Sequence, residues 1–174
     1  MNDLWVFGYA SLIWRPGFAF EERAKARLGG YRRSLCIHSY VHRGTPERPG
    51  LVFGLDRGGS CVGMAFRVAE EDGEAVTAYL RERELVTNVY RELRLPVRLA
   101  DGRRVSALTY VVDRGHGQYA GGLDVETAAA IVHRSHGQSG ANADYVRSCY
   151  QEITALGLKD GWLEQVVRRL PGRA

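Results

Sequence analysis

Hydrophobic positions fall into short runs in the first two thirds of the chain and into helical stripes in the last third. Residues 4–9 form an apolar run with Trp5, Val6 and Phe7, the pattern of a strand buried on both faces. Residues 34–39 hold Leu35, Cys36 and Ile37 and predict a second strand. Residues 51–55 and 61–68 read as two strands joined by a hairpin loop at Asp56-Arg57-Gly58-Gly59-Ser60, with glycine where positive φ is needed. The intervening stretch 43–50, with Pro46, Pro49 and two glycines, predicts an irregular loop. Over 72–84 the apolar residues Val76, Tyr79 and Leu80 recur at i, i+3 and i+4, which predicts a helix. Strands follow at 90–99 and 105–112 across an Asp101-Gly102 turn.

Three helices are predicted after that. Asp124 caps one over 125–136 that stops at Gly137; Asn142 caps a second ending at Gly157; Asp160 caps a third ending before Pro171. The glycine pairs Gly29-Gly30, Gly58-Gly59 and Gly121-Gly122 read as turns between short elements. No βαβ alternation, internal repeat or long linker is present. The pattern predicts one α+β domain over residues 1–174, with a mostly antiparallel or mixed sheet that can close as a small barrel.

Composition narrows the function. The chain has 174 residues, 45% of them hydrophobic and 25% charged, which excludes a disordered chain. The net charge of +4 is mild, and the arginine pairs Arg32-Arg33, Arg103-Arg104 and Arg168-Arg169 are scattered without interleaved aromatics. No nucleic-acid partner is therefore expected. Cys36, Cys61 and Cys149 are odd in number and lack CxxC spacing, which predicts a reducing, cytoplasmic setting rather than a disulfide framework. The N-terminal apolar run has no basic n-region and is broken by Gly8, Ser11 and Arg15, so neither a signal peptide nor a membrane span is expected. P-loop, dinucleotide-binding and GxSxG patterns are missing. Cys36, His38 and His42 lie close in sequence, but zinc needs three or four convergent ligands and no fourth is nearby, so no metal is expected. His133 and His136 sit at a helix end that favours them without any further role.

Two features carry candidate chemistry. The strand at 4–9 ends in Gly8-Tyr9-Ala10-Ser11-Leu12, small residues that can expose successive N–H groups and bind an anion, although the same residues also suit an ordinary tight turn. The second is Glu84. With Val76 at the centre of the helical stripe, Leu80 lies about 40° away, Glu84 about 80°, and Glu82 about −120°, toward water. Glu84 thus flanks the buried face at the C-terminal end of the helix. Desolvation and the helix dipole both raise a carboxyl pKa there, as a general base working near neutral pH requires. The alternative is a boundary glutamate paired with Arg83 or Arg91.

Four separated segments carry a resemblance. WVFGYASLIW is similar to the VFGYGSLIW opening of the ChaC family of γ-glutamylcyclotransferases, and the likeness continues through HRGTPERPGLVFGLDRGGSCVGMAFRV, AYLRERE and HGQSGANADYV. It implies a small mixed or antiparallel β-barrel flanked by helices, and cleavage of glutathione to 5-oxoproline and cysteinylglycine without metal or cofactor. By position it implies that Glu84 is catalytic, that Tyr9, Ala10, Ser11 and Leu12 form the substrate loop, and that Tyr145, after Asn142, contacts substrate. The chain departs from the family at Ala10, where glycine is usual, and at Val86-Thr87-Asn88-Val89-Tyr90, where many relatives have a glycine pair before the tyrosine. The same chemistry on another γ-glutamyl amine, or a non-catalytic module that binds such a ligand, stays open, and so does the oligomeric state. Chelators are expected to leave 5-oxoproline release unchanged; a loss restored by zinc would reinstate Cys36, His38 and His42 as ligands.

Overall fold

The computed structural model describes residues 3–85 and 87–172, so Val86 lies outside the described residues. The elements in chain order are β1 (Leu4–Gly8), α1 (Ser11–Trp14), β2 (Glu22–Ser39), β3 (Gly50–Val68), a 3-10 turn (Glu70–Asp72), α2 (Gly73–Glu84), β4 (Tyr90–Leu99), β5 (Arg104–Val112), α3 (Val125–Arg134), β6 (His136–Gly137), β7 (Gly140–Ala141), α4 (Asn142–Ala155) and α5 (Gly161–Arg169). They form two compact units, one of Met1–Arg33 with Leu55–His116 and one of Ser34–Gly54 with Gly117–Ala174. Among the described residues no helix is long and apolar enough to cross a membrane.

The first unit holds a closed barrel in the order β1-β3-β2-β4-β5. β1 runs antiparallel to β3, with Leu4 opposite Val68 and Gly8 opposite Met64. It runs parallel to β5, with Val6 opposite Leu108, and that pairing makes the sheet mixed. Every residue of β1 is buried, as its unbroken apolar run predicts. Alternate residues Leu4 and Val6 join Val76 and Leu80 of α2, Val68, Leu12, Leu108 and Tyr110 in one apolar cluster. The helical stripe thus seats α2 on the barrel and fixes where its last residue, Glu84, emerges.

Two expected turns are strand interior. β3 is continuous through Gly58 (φ 100°) and Gly59 (φ 68°), and β2 through Gly30 (φ 85°). Glycine at positive φ admits a bulge inside a strand, so these residues need not reverse the chain. Asp56 anchors β3 here. It is fully buried and takes Arg114 Nε at 2.7 Å, Arg32 Nη2 at 3.2 Å and the Arg57 amide at 2.9 Å. β2 also begins well before the expected strand at 34–39, because Arg23, Lys25 and Arg27 are exposed between the less exposed Glu22 and Ala24 and the buried Ala26 and Leu28.

In the second unit α3, α4 and α5 bury Ala128, Val132, Val146, Cys149, Ile153, Leu163 and Val166. Asp124 and Asp160 cap as expected, accepting from the Thr127 amide at 2.7 Å and the Leu163 amide at 3.0 Å. Asn142 does not cap α4; the N-cap position is Ala141. The fully buried Asn142 side chain instead mimics a neighbouring strand, with Leu51 N donating to Oδ1 and Nδ2 donating to Leu51 O, both at 2.8 Å. A buried carboxamide needs both kinds of partner, and Leu51 supplies them. His136 and Gly137, expected at the end of a helix, pair instead with Ala141 and Gly140. Leu80→Ala opens a cavity under α2 and is expected to cost about 2–5 kcal/mol, read as a lowered denaturant midpoint at unchanged slope.

Candidate active site

The turn after β1 is shaped by close approach. A Cβ on Gly63 would lie 2.2 Å from Gly8 O, and one on Gly8 would lie 2.9 Å from Leu12 Cβ. Glycine at both places lets the chain turn directly into α1. That helix is a single turn, closed by Ile13 N to Ala10 O at 2.9 Å and Arg15 N to Ser11 O at 2.8 Å. Its buried Leu12 and Ile13 hold it down. Ala10 has φ −140°, so the position asks for no left-handed backbone and accepts alanine in place of glycine.

The buried Arg33 of β2 braces the turn from beneath. Its Nε donates to Tyr9 O at 2.5 Å and its Nη2 to Val62 O at 2.8 Å. Arg83 of α2 holds the turn from the other side. Its Nη2 donates to Ser11 Oγ at 2.8 Å, and its Nη1 to Arg15 O at 2.7 Å and to Tyr79 Oη at 3.2 Å.

Glu84 ends α2 with a side chain 15% exposed. Burial pushes its carboxyl above the usual range, and the Arg83 guanidinium, Nε 3.6 Å from Oε1, opposes the rise. Of the two arginines considered as partners, Arg83 is the one beside it; Arg91 pairs with Asp113 at 3.1 Å. The buried Tyr110 shares this neighbourhood. Its hydroxyl donates to Glu92 Oε2 at 3.0 Å, and its pKa is pushed up by burial, by Glu92 and, to a lesser degree, by the charge of Glu84. Arg81 grips both oxygens of Glu92 at 2.9 Å and holds that carboxyl low. Two carboxylates on neighbouring elements are therefore shifted in opposite directions: Arg81 holds Glu92 down, and burial holds Glu84 up.

Tyr9, Ala10, Ser11, Leu12 and Glu84 all belong to the first unit, where Arg83 bonds Ser11 and pairs with Glu84. Past Glu84, Asn88 takes φ 56°, a left-handed conformation that asparagine tolerates. Tyr145 belongs to the second unit. There its hydroxyl accepts the Phe53 amide at 3.3 Å, and the Arg43 guanidinium lies 5.3 Å from its ring centre. In the same unit Cys36 is a core residue, His38 is pushed below the usual imidazole range by burial, and His42 Nδ1 lies 2.9 Å from Ser139 Oγ. No group of three His, Cys, Asp or Glu residues that could hold a metal occurs among the described residues. Sequence reasoning missed Arg33 and took Arg83 only as a charge partner. Each stands beside another charged residue, and nothing local distinguishes a buried arginine from a solvated one.

A family model described as ChaC-like protein matches residues 4–171. The chain belongs to this family. Among ChaC-like relatives, the glutathione-specific γ-glutamylcyclotransferase of Escherichia coli is 34% identical over 95% of this chain and 72% of its own length. The Schizosaccharomyces pombe protein of the same name is 33% identical over 83% of this chain and 80% of its own. The crystal structure of a yeast γ-glutamyl cyclotransferase specific to glutathione superposes with a TM-score of 0.84, covering 97% of this chain and 98% of that one. At 22% identity it shows the fold.

A carboxyl pKa raised by folding leaves the folded state with more bound proton than the unfolded state between the two values, so stability falls as pH rises through that window. Glu84→Gln is therefore expected to melt higher than the parent at pH 8, with the difference shrinking toward pH 4, below the unfolded carboxyl value of about 4.3. Calorimetry across that range checks the sign.

Proposed function

We propose that this ChaC-like chain is a glutathione-specific γ-glutamylcyclotransferase. The names of its relatives support the substrate, and the largely buried, upward-shifted carboxyl of Glu84, tied to the turn after β1 through Arg83, is the observation that carries the chemistry.

The substrate supplies its own nucleophile. Its α-amine attacks the γ-carbonyl carbon, a nitrogen–carbon bond closes a five-membered lactam, and the amide bond to the cysteinyl nitrogen breaks. No water is consumed and no electron is transferred. As the α-ammonium becomes a lactam N–H it sheds two protons, one before attack and one as the ring closes; Glu84 takes each in turn and passes it to the cysteinyl nitrogen, leaving 5-oxoproline and cysteinylglycine with its amine protonated. A base so placed contributes about 10²–10⁴ in rate. Holding the γ-glutamyl chain folded adds a proximity effect, worth up to about 7–11 kcal/mol in the best-oriented systems. The amides of Tyr9, Ala10, Ser11 and Leu12 serve as donors to the α-carboxylate or to the developing oxyanion. Tyr145 contacts substrate in this reading on the strength of its Asn-x-acid-Tyr motif alone. The net charge of +4 modestly favours an anionic tripeptide. A cytoplasmic setting rests on the cysteine spacing, and no partner beyond the small-molecule substrate is invoked.

Glu84→Gln keeps size and hydrogen-bonding atoms but removes the base. Turnover of glutathione, read as 5-oxoproline release, is expected to fall by at least about 10² with the fold intact. Near-parental turnover would remove Glu84 from the mechanism. Faster release from γ-glutamyl amino acids than from glutathione would move the substrate class, and stabilisation by glutathione without product would make the chain a binding module.

A further inference from the structure

We propose that Arg83 is a positioning residue that turns the Ser11 hydroxyl into a dedicated hydrogen-bond donor for the substrate; this inference rests on the cyclotransferase reading above.

Four carbonyls in and just after the turn that follows β1 are already engaged. Tyr9 O accepts from Arg33, Ala10 O from the Ile13 amide, Ser11 O from the Arg15 amide, and Arg15 O from Arg83. The Ser11 side chain follows the same pattern, since its Oγ accepts from Arg83 Nη2 at 2.8 Å. A serine hydroxyl has one proton to give. With a charged donor on the oxygen, that proton turns away from Arg83, and the O–H bond is polarised toward donation. Ser11 is only partly buried, so the proton can reach a ligand. The turn therefore offers N–H and O–H groups and withholds the lone pairs that would repel a carboxylate or an oxyanion. One planar guanidinium with its fork of donors reaches Ser11, Arg15 and Tyr79 at once while its Nε stays 3.6 Å from Glu84. A lysine ammonium on a single stem cannot match that geometry.

Two consequences separate this role from a merely structural one. Arg83 acts on Ser11 and Glu84 together, so its loss changes both the strength of the donor and the protonation of the base. The Arg83 charge holds the Glu84 carboxyl down against burial, and removing it lets the base protonate at higher pH.

The test measures kcat/KM for glutathione against pH in Arg83→Met, Arg83→Lys, Ser11→Ala and the Arg83→Met/Ser11→Ala pair, with melting curves to verify folding. Arg83→Met is expected to lose about 10- to 100-fold and to shift the acid limb of the profile to higher pH. Ser11→Ala is expected to lose activity without moving that limb. The double variant should be no worse than Arg83→Met by more than a factor of about two, since the pair acts as a unit. Arg83→Lys should restore the limb but only part of the rate. Multiplying losses with an unmoved limb, while Glu84→Gln stays inactive, would overturn the role of Arg83 and leave the cyclotransferase reading standing. An active Glu84→Gln would instead remove the reading itself. If Arg83→Met fails to fold, the Arg83→Lys and Ser11→Ala profiles decide: equal losses with additive effects in their double variant overturn the proposal.

Discussion

The guanidinium of Arg83, steadied within α2 by the Tyr79 hydroxyl, joins the last turn of α2 to the single-turn helix after β1 through Ser11 and Arg15. Without that tie the loop and the glutamate sit on elements linked chiefly by apolar packing, which tolerates small slides. Directional bonds from one rigid fork do not, because each further acceptor removes a degree of freedom. Reactions that fold a substrate back on itself depend on this kind of fixed spacing, since the reacting atoms must lie within about 3–3.5 Å in the right orientation. Arg33 completes the frame by fastening the Tyr9 carbonyl to β2.

Electrostatics near this point are graded rather than uniform. Glu92 is clasped by Arg81 and bonded by the Tyr110 hydroxyl, so its charge is fixed. Glu84 has burial on one side and one imperfectly placed cation on the other, at 3.6 Å. A shorter, bidentate pairing would have pulled its carboxyl down, as Arg81 does to Glu92. Its incomplete satisfaction is a local expense of stability that suits a proton-transfer role.

Much of this was readable in the sequence where one physical cause dominates. The all-apolar run of β1, the stripe of α2 and the aspartate caps of α3 and α5 follow from burial and capping, which act locally. The flanking position of Glu84 followed from helical periodicity alone. The start of β2 was hidden because its outward residues are charged and its inward ones small. Gly30, Gly58 and Gly59 take the positive φ that glycine permits, yet nothing in the sequence separates a bulge from a reversal. Asn142 looked like a cap because capping needs only neighbours, whereas its true partner, Leu51, is 91 positions away. Arg33 carried no signal and Arg83 only that of a charge partner for Glu84, since distant partners decide which arginines brace a turn.

That pairing of Asn142 with Leu51 reaches beyond the capping question. Both backbone groups of Leu51 are taken by one carboxamide, so that stretch of β3 offers no open ladder to another chain at this point. A single side chain at the start of a helix thus does the work of a strand, pairing in the interior two backbone groups that would be costly to leave unpaired.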